Sequence, residues 1–209
     1  MKFILGKKEG MSQIFDESGK VIAGTVVLAG PVTVTEVKTE NEAIKSIQVG
    51  YGDRKLKNVA KPQRTIAKTV GQKEGFGFSY LKQFSSKKGV LPVVKVGDSI
   101  DVSTFAEGDT IEVSAISKGK GFQGVVKRHH FEGGRRSHGQ KHSEREAGSI
   151  GAGGKQKVLK GLRMAGRMGG DRITVRNLKV VKIDQAGNQL FISGAIPGRK
   201  GTFIEIVAR

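Results

Sequence analysis

The fold is decided by residues 21–28 (VIAGTVVL), 32–38 (VTVTEVK) and 43–51 (AIKSIQVGY). These runs are rich in β-branched side chains and are separated by short turn signals, as is typical of strands. Residues 16–19 (DESG) predict a hairpin turn before the first run. The pattern recurs at residues 99–102, 110–116, 172–183, 189–194 and 202–207. Several short strands without intervening amphipathic helices favour an antiparallel barrel or a sandwich, and we predict a small antiparallel β-barrel.

The composition excludes several classes of protein. The 209 residues suffice for one domain, include no cysteine and carry a formal net charge of +18. No apolar run approaches the roughly 18 residues that span a bilayer, and residues 1–10 lack the apolar region of a signal peptide. A surplus of this size calls for a polyanionic partner, of which nucleic acid is the common one and anionic membrane the other. We therefore expect a nucleic-acid partner in a reducing cytoplasm, with neither disulfides nor thiolate metal sites.

The charge surplus lies in two internal segments. Residues 53–90 hold 10 basic and 2 acidic side chains, and residues 117–172 hold 14 basic and 4 acidic side chains. The remainder, at 1–52, 91–116 and 173–209, carries 13 of each sign. We predict a single domain in which the neutral parts form the barrel, with 53–90 as a basic insertion and 117–172 as an extended arm.

The predicted arm cannot form a core of its own. Of its 56 residues, 14 are glycine and only eight are Leu, Ile, Val or Phe. That composition buries too little apolar surface to offset the entropy of ordering. One interpretation is a flexible solvated loop. The other is an irregular arm that becomes ordered within folded RNA, where glycine allows close approach to phosphates and Lys or Arg neutralises them.

Motifs that could indicate an enzyme or a metal site lack their usual context. Residues 119–124 (GKGFQG) match a nucleotide-binding glycine pattern, but 127–130 (KRHH) run quickly into further glycines, and no kinase signature follows. Ser149 lacks the strand–turn–helix setting of a nucleophile. His138 and His142 have the spacing of a helical metal pair, but the glycine between them argues against a helix. Base stacking or phosphate binding is the favoured role for these histidines.

Several motifs resemble one family, the large-subunit ribosomal protein three family in its bacterial form. The entry to the arm, residues 117–128 (SKGKGFQGVVKR), resembles the corresponding family motif, and the opening at 6–15 (GKKEGMSQIF) is also similar. Further matching segments are 137–139 (SHG), 148–151 (GSIG), 160–161 (KG), 164–169 (MAGRMG), 172–178 (RITVRNL) and 194–198 (GAIPG). The resemblance covers essentially the whole chain.

The resemblance implies a fold and a function. It implies a translation-factor-like barrel on the subunit surface and an arm that reaches through 23S-type rRNA toward the peptidyl transferase centre. It also implies a role in starting subunit assembly. Ribosomal proteins fourteen and nineteen are the expected protein neighbours, in a bacterial-type cytoplasmic ribosome. We expect no enzymatic activity, no membrane or small-molecule partner and no cofactor, with any magnesium bound through the rRNA.

The chain departs from the family pattern near the tip of the arm. Ala147 stands where the family often has proline, and residues 155–156 (KQ) stand where many members have Pro-Gly. Some bacterial members carry a methylated glutamine near the tip, but this region is 152–154 (AGG) here. Gln156 does not match that position, so no methylation is predicted.

The basic side chains of the arm are the predicted phosphate ligands, and its aromatic side chains are the stacking candidates. The predicted rRNA-binding residues are Lys118, Lys120, Phe122, Lys127, Arg128, Arg135, Arg136, His138, Lys141, His142, Arg145, Lys155, Lys157, Lys160, Arg163 and Arg167, with Phe131 as a further stacking candidate. A nucleic-acid chaperone or DNA-compacting protein would instead bind duplex DNA strongly, and an enzyme using the glycine motif would bind nucleotides saturably.

Overall fold

A computed structural model describes residues 1–16, 18–40, 43–85, 91–151, 154 and 156–208. Its strands are β1 (Lys2–Phe15), β2 (Val21–Ala29), β3 (Val32–Glu40), β4 (Ala43–Lys55), β5 (Phe76–Ser85), β6 (Ser99–Ile100), β7 (Thr110–Ile116), β8 (Phe122–Gln123), β9 (Gly166–Arg167), β10 (Arg172–Asp184), β11 (Gln189–Ser193) and β12 (Phe203–Ala208). Two helices accompany them, α1 (Lys61–Thr69) and α2 (Val125–His129), with short 3₁₀ turns at Leu56–Asn58 and Val102–Thr104. Within the described residues, no helix is both long and apolar enough to cross a membrane.

Six strands close an antiparallel barrel in the order β1-β12-β7-β10-β11-β2. Its core is aliphatic, with side chains such as Ile4, Ile111, Leu190 and Ile206 fully buried. The predicted strand at 202–207 closes the barrel, since β12 pairs with both β1 and β7. The structure confirms the prediction of a mainly β chain built on an antiparallel barrel.

A second antiparallel sheet, in the order β5-β4-β3-β6, differs from the predicted organisation. The charge pattern predicts a barrel that includes all of residues 1–52, with 53–90 as an insertion. In the structure, β4 continues to Lys55 and pairs with β5, from Ser46 opposite Ser85 to Lys55 opposite Phe76. The basic insertion therefore supplies a strand of this sheet. An alternating pattern predicts a strand but does not specify its neighbours, which depend on distant pairing partners.

Helix α1 packs on the second sheet through a glycine. Pro62 stands at the start of the helix, where its missing N–H costs nothing, and Ala67 is buried. A Cβ at Gly77 of β5 would lie 3.3 Å from Val59 and 3.6 Å from the Ala67 methyl group. The absence of a side chain at Gly77 therefore leaves room for the segment that carries α1.

The barrel and the second sheet share one compact unit, residues Met1–Ile116 and Arg172–Arg209. Phe3 of β1 stacks on Phe84 of β5 with ring centroids 4.5 Å apart. Glu205 of β12 forms ion pairs with Lys82 of β5, at 2.9 Å, and with Arg172 of β10. Burial alone would raise the pKa of Glu205, but hydrogen bonds from Lys82, Arg172 and Tyr80 outweigh it and hold that pKa below its usual value. The two sheets are thus joined by aromatic packing and by a buried carboxylate.

Candidate nucleic-acid interface

Residues Ser117–Asp171, which lie within the segment 117–172 named the arm above, form a second compact unit. Two limbs of this unit pair near its ends. Lys120 N–H donates to the Met168 carbonyl at 2.9 Å, and Met168 N–H donates to the Gly121 carbonyl at 2.9 Å. The short strands β8 and β9 continue this pairing, with Phe122 opposite Arg167. The ends of the unit therefore have regular backbone partners although its composition is poor in apolar residues.

The glycine motif at 119–124 leads into α2, a helix of five residues that ends at His130 in the left-handed conformation. Arg128 on this helix donates from a guanidinium nitrogen to the Met164 carbonyl at 2.6 Å. The His129 Nε2 atom lies 3.0 Å from the same oxygen. Val125 is the one buried apolar side chain among the described residues of the unit. Polar side chains thus hold the outgoing and returning limbs together here, in place of an apolar core.

A third contact joins residues farther along the arm. Gly134 N–H donates to the Glu144 carbonyl at 2.9 Å. The Glu144 carboxylate accepts from Arg136 Nε at 2.6 Å. Arg136, predicted to bind phosphate, therefore already has an anionic partner within the protein.

Some glycines of the arm allow its own segments to approach closely. A Cβ at Gly169 would lie 2.2 Å from the Lys118 carbonyl oxygen, and one at Gly133 would lie 2.3 Å from the Glu144 carbonyl oxygen. Other glycines, including Gly119, Gly148 and Gly161, would place a Cβ in open space. The first group shapes the arm, and the second leaves backbone accessible from outside.

The structure leaves nearly all of the predicted RNA-binding side chains exposed. Arg128 is half-buried against Met164, and Lys155 lies outside the described residues, as do Ala152 and Gly153 of the tip. Among the described members of the predicted set, only Arg136 forms an ion pair. The exposed cations without such a pair are Lys118, Lys120, Lys127, Arg135, Lys141, Arg145, Lys157, Lys160, Arg163 and Arg167. The unit therefore presents many positive charges that its own carboxylates do not neutralise.

The predicted stacking residues differ in their surroundings. Phe122 is 76% exposed, although it is a large apolar side chain on a strand. His138 is exposed in a left-handed backbone conformation, and His142 is exposed as well. Phe131 is half-buried, with its ring centroid 6.2 Å from that of His129. Phe122, His138 and His142 are thus accessible to a flat partner, whereas Phe131 packs partly within the arm.

Sequence reasoning missed two features of the arm. Exposed apolar side chains follow the returning limb at Val158, Leu159, Leu162 and Met164, interleaved with basic residues. The interleaving is visible in the sequence and signals a surface that is both apolar and cationic. The Met164 carbonyl was also missed as the acceptor that holds Arg128, because nothing in the sequence pairs residues that far apart.

Comparison with known proteins identifies the family. A family model described as Ribosomal protein L3 matches residues 93–200. The large ribosomal subunit protein uL3 of Chloroherpeton thalassium is 44% identical over 99% of both chains. The uL3 proteins of Finegoldia magna and Dehalococcoides mccartyi are 44% and 45% identical, covering 99% and 97% of this chain and 97% and 96% of theirs.

The chain belongs to the ribosomal protein L3 family. It is therefore a protein of the large ribosomal subunit, a structural component and not an enzyme. Its bacterial relatives place this L3-family protein with the ribosome in the cytoplasm. The glycine motif at 119–124, which lies inside the matched region, belongs to a ribosomal protein rather than to a nucleotide-binding enzyme.

Proposed function

We propose that this L3-family protein binds large-subunit rRNA through the unit Ser117–Asp171, and that the bound arm buttresses the peptidyl transferase centre. The observation that carries the proposal is the set of exposed cations on a unit with one buried apolar side chain among its described residues. Such a unit gains little from its own packing. Neutralising RNA phosphates supplies the missing stabilisation, because each contact releases condensed counterions.

Phosphate contacts would fix the position of the arm, and shape would provide selectivity. Lys and Arg side chains spaced among open glycines can follow a folded RNA backbone closely. Phe122, His138 and His142 are available to stack on unpaired bases. We assign phosphate binding to the predicted basic set, with Arg128 and Arg136 dividing their donors between RNA and the protein contacts described above.

The rest of the chain would anchor the arm. The barrel and second sheet have a continuous apolar core and can fold without RNA. We propose that this unit docks at the subunit surface early and helps to start assembly, with ribosomal proteins fourteen and nineteen as neighbours by family resemblance. The peptidyl transfer reaction belongs to the rRNA. The arm would contribute positioning, since an ordered polypeptide that holds RNA helices cannot be replaced by loose cations.

An arm replacement tests the proposal. Residues 130–157 are replaced by a short Gly/Ser linker, and peptide-bond formation is measured on reconstituted subunits. We expect either a stalled precursor particle or mature subunits with slowed peptidyl transfer. The matched control replaces the same residues with a scrambled sequence of equal length and composition, which preserves charge but not contacts. Normal assembly and wild-type rates with either variant would refute the buttressing role.

A further inference from the structure

The hairpin formed by β1 and β2 extends past the barrel to which it belongs. β1 runs to Phe15, but it pairs with β12 only through residues 2–7. β2 starts at Val21, but it pairs with β11 only from Gly24 onward. From residue 9 to residue 23 the described chain is therefore a two-stranded ribbon without a third strand. Such a ribbon is marginally stable in water unless it packs on something else.

One face of this ribbon continues the buried face of the barrel. Thr25 and Val27 of β2 are fully buried. Side chains directly opposite each other, and those two residues apart on one strand, share a face. The register places Met11 opposite Thr25, Gln13 opposite Ala23 and Phe15 opposite Val21. Met11, Phe15 and Val21 thus occupy core-type positions beyond the end of the barrel.

The described protein does not cover these apolar side chains. Met11 is 59% exposed, Phe15 64% and Val21 49%. Phe15 and Val21 are directly opposite each other, and Met11 lies on the same face beyond the pair Gln13 and Ala23. Monomeric proteins leave single apolar side chains exposed, but several on one sheet face indicate an interaction site. The outer edge of β1 beyond Lys8 also has no strand partner in the described chain. Free edges of this kind are commonly covered by another strand.

The charge of the ribbon indicates the kind of partner. Residues 9–23 hold three acidic side chains and one basic side chain, for a net charge of −2 in a chain whose total is +18. RNA phosphates would be repelled by this sign of charge. A second copy of the chain would bring the same negative ribbon and is disfavoured for the same reason. A basic protein would be attracted by the negative charge of the ribbon and could cover its apolar face.

We propose that the hairpin at residues 9–23 docks a β-strand of a basic protein neighbour in the large subunit. The strand adds to the free edge of β1 through main-chain hydrogen bonds, and alternate apolar side chains cover Met11, Phe15 and Val21. This interface is distinct from the RNA-binding arm and does not depend on the arm's function. The chain would thus bind RNA through the cations of the arm and a basic protein through the acidic ribbon at residues 9–23.

Site-specific crosslinking tests the proposal in the intact particle. Phe15 is replaced by p-benzoylphenylalanine, assembled large subunits are purified and irradiated, and the adduct is mapped by mass spectrometry. The expected product joins the photoreactive side chain at position 15 to an edge strand of a basic ribosomal protein. An adduct with rRNA, with a second copy of this chain or with no partner at all would overturn the proposal. Incorporation into subunits reports on the arm separately, so the two proposals fail in different ways.

The affinity of the mapped protein for the full chain provides a second measurement. Phe15→Ser should raise the dissociation constant about tenfold, because one large apolar side chain would no longer be buried in the complex. The matched control is Val93→Ser, at a valine that is 91% exposed elsewhere on the same unit. Both substitutions are at exposed positions and should leave unfolding of the free protein unchanged. Equal affinity for the Phe15→Ser variant and the wild type would contradict the docking site.

Discussion

The hydroxyl of Tyr80 donates a hydrogen bond to Oε1 of Glu205 at 3.0 Å, which joins the second sheet to the barrel. Glu205 is 8% exposed at its side chain and also accepts from Lys82 and Arg172. One carboxylate therefore gathers three donors from two β5 residues and one β10 residue. A buried charge is tolerated only where it is paired in this way.

Replacing Glu205 with Gln should destabilise the protein by about 1–3 kcal/mol, the usual cost of leaving buried hydrogen-bonding groups unsatisfied. Lys82 and Arg172 are partly exposed and can regain water, which places the effect toward the lower end. Chemical denaturation measures the change. Glu40→Gln is the control, because the Glu40–Lys45 ion pair is exposed and should contribute almost nothing. Equal effects of the two substitutions would contradict the role of Glu205.

The same network predicts a pH dependence. The folded-state pKa of Glu205 is lowered, so its stabilisation is fully present above the unfolded value of about 4.3 and is lost as pH falls through the folded value. The stability difference between wild type and Glu205→Gln should therefore shrink below about pH 4.

Burial and the nearby Glu205 charge raise the pKa of Tyr80 to about 12. Phenolate absorbance should show Tyr80 titrating earlier in the Glu205→Gln variant.

Two glycine substitutions distinguish the cost of backbone strain from the cost of a steric clash with a neighbouring segment. Gly169 and Gly148 have nearly the same positive φ, +75° and +73°, but only Gly169 lies against another segment, at the Lys118 carbonyl. Alanine at either position should cost about 1–2 kcal/mol of backbone strain. Gly169→Ala should in addition break the pairing of Lys120 with Met168, which hydrogen exchange at those amides detects in the rRNA-bound protein. Similar exchange in both variants would show that the close approach is unimportant.

The salt dependence of rRNA binding tests the phosphate assignment. Replacing Lys127 and Arg128 together with Ala should make the slope of log affinity against log salt shallower by about 1.4–1.8. Lys45→Ala, at an exposed lysine of β4, is the control and should leave the slope unchanged. An unchanged slope in the double variant would place both side chains away from RNA.

Hydrogen exchange of the free protein should distinguish the two units. Residues 119–169 are expected to exchange much faster than residues 173–183, because the arm buries one apolar side chain among its described residues, whereas β10 pairs with β7 through residues 172–179 and with β11 through residues 180–184. Protection of the arm should appear on binding of large-subunit rRNA. Equally slow exchange in both segments of the free protein would show that the arm is ordered without RNA.

Phe122 provides a test of stacking. Phe122→Ala should weaken rRNA binding by about 1–3 kcal/mol if a base stacks on the ring. Phe122→Leu retains apolar bulk without an aromatic face and serves as the matched comparison. Filter binding with large-subunit rRNA measures both. If the leucine variant binds as well as the wild type, Phe122 contributes apolar contact rather than stacking.

Much of the architecture followed from local features of the sequence. The β-branched content of 21–28, 32–38 and 43–51, together with the turn signals between them, predicted β2, β3 and β4. Strand β1 was not predicted, because Gly6, Lys7, Lys8 and Gly10 interrupt its β-branched pattern. It forms nonetheless because it pairs with β12 on one side and β2 on the other. Tertiary pairing overrides weak local propensity.

The sequence alone determined the mainly β class and the position of the basic segment 117–172, because charge and β-propensity are properties of individual residues. Only the tertiary structure decided that β3 to β6 form a separate sheet, that Glu205 is buried among three donors and that Arg128 contacts the Met164 carbonyl. It also placed the apolar face of Met11 and Phe15 beyond the barrel. These features depend on register between residues far apart in the chain, which a period-two pattern leaves open.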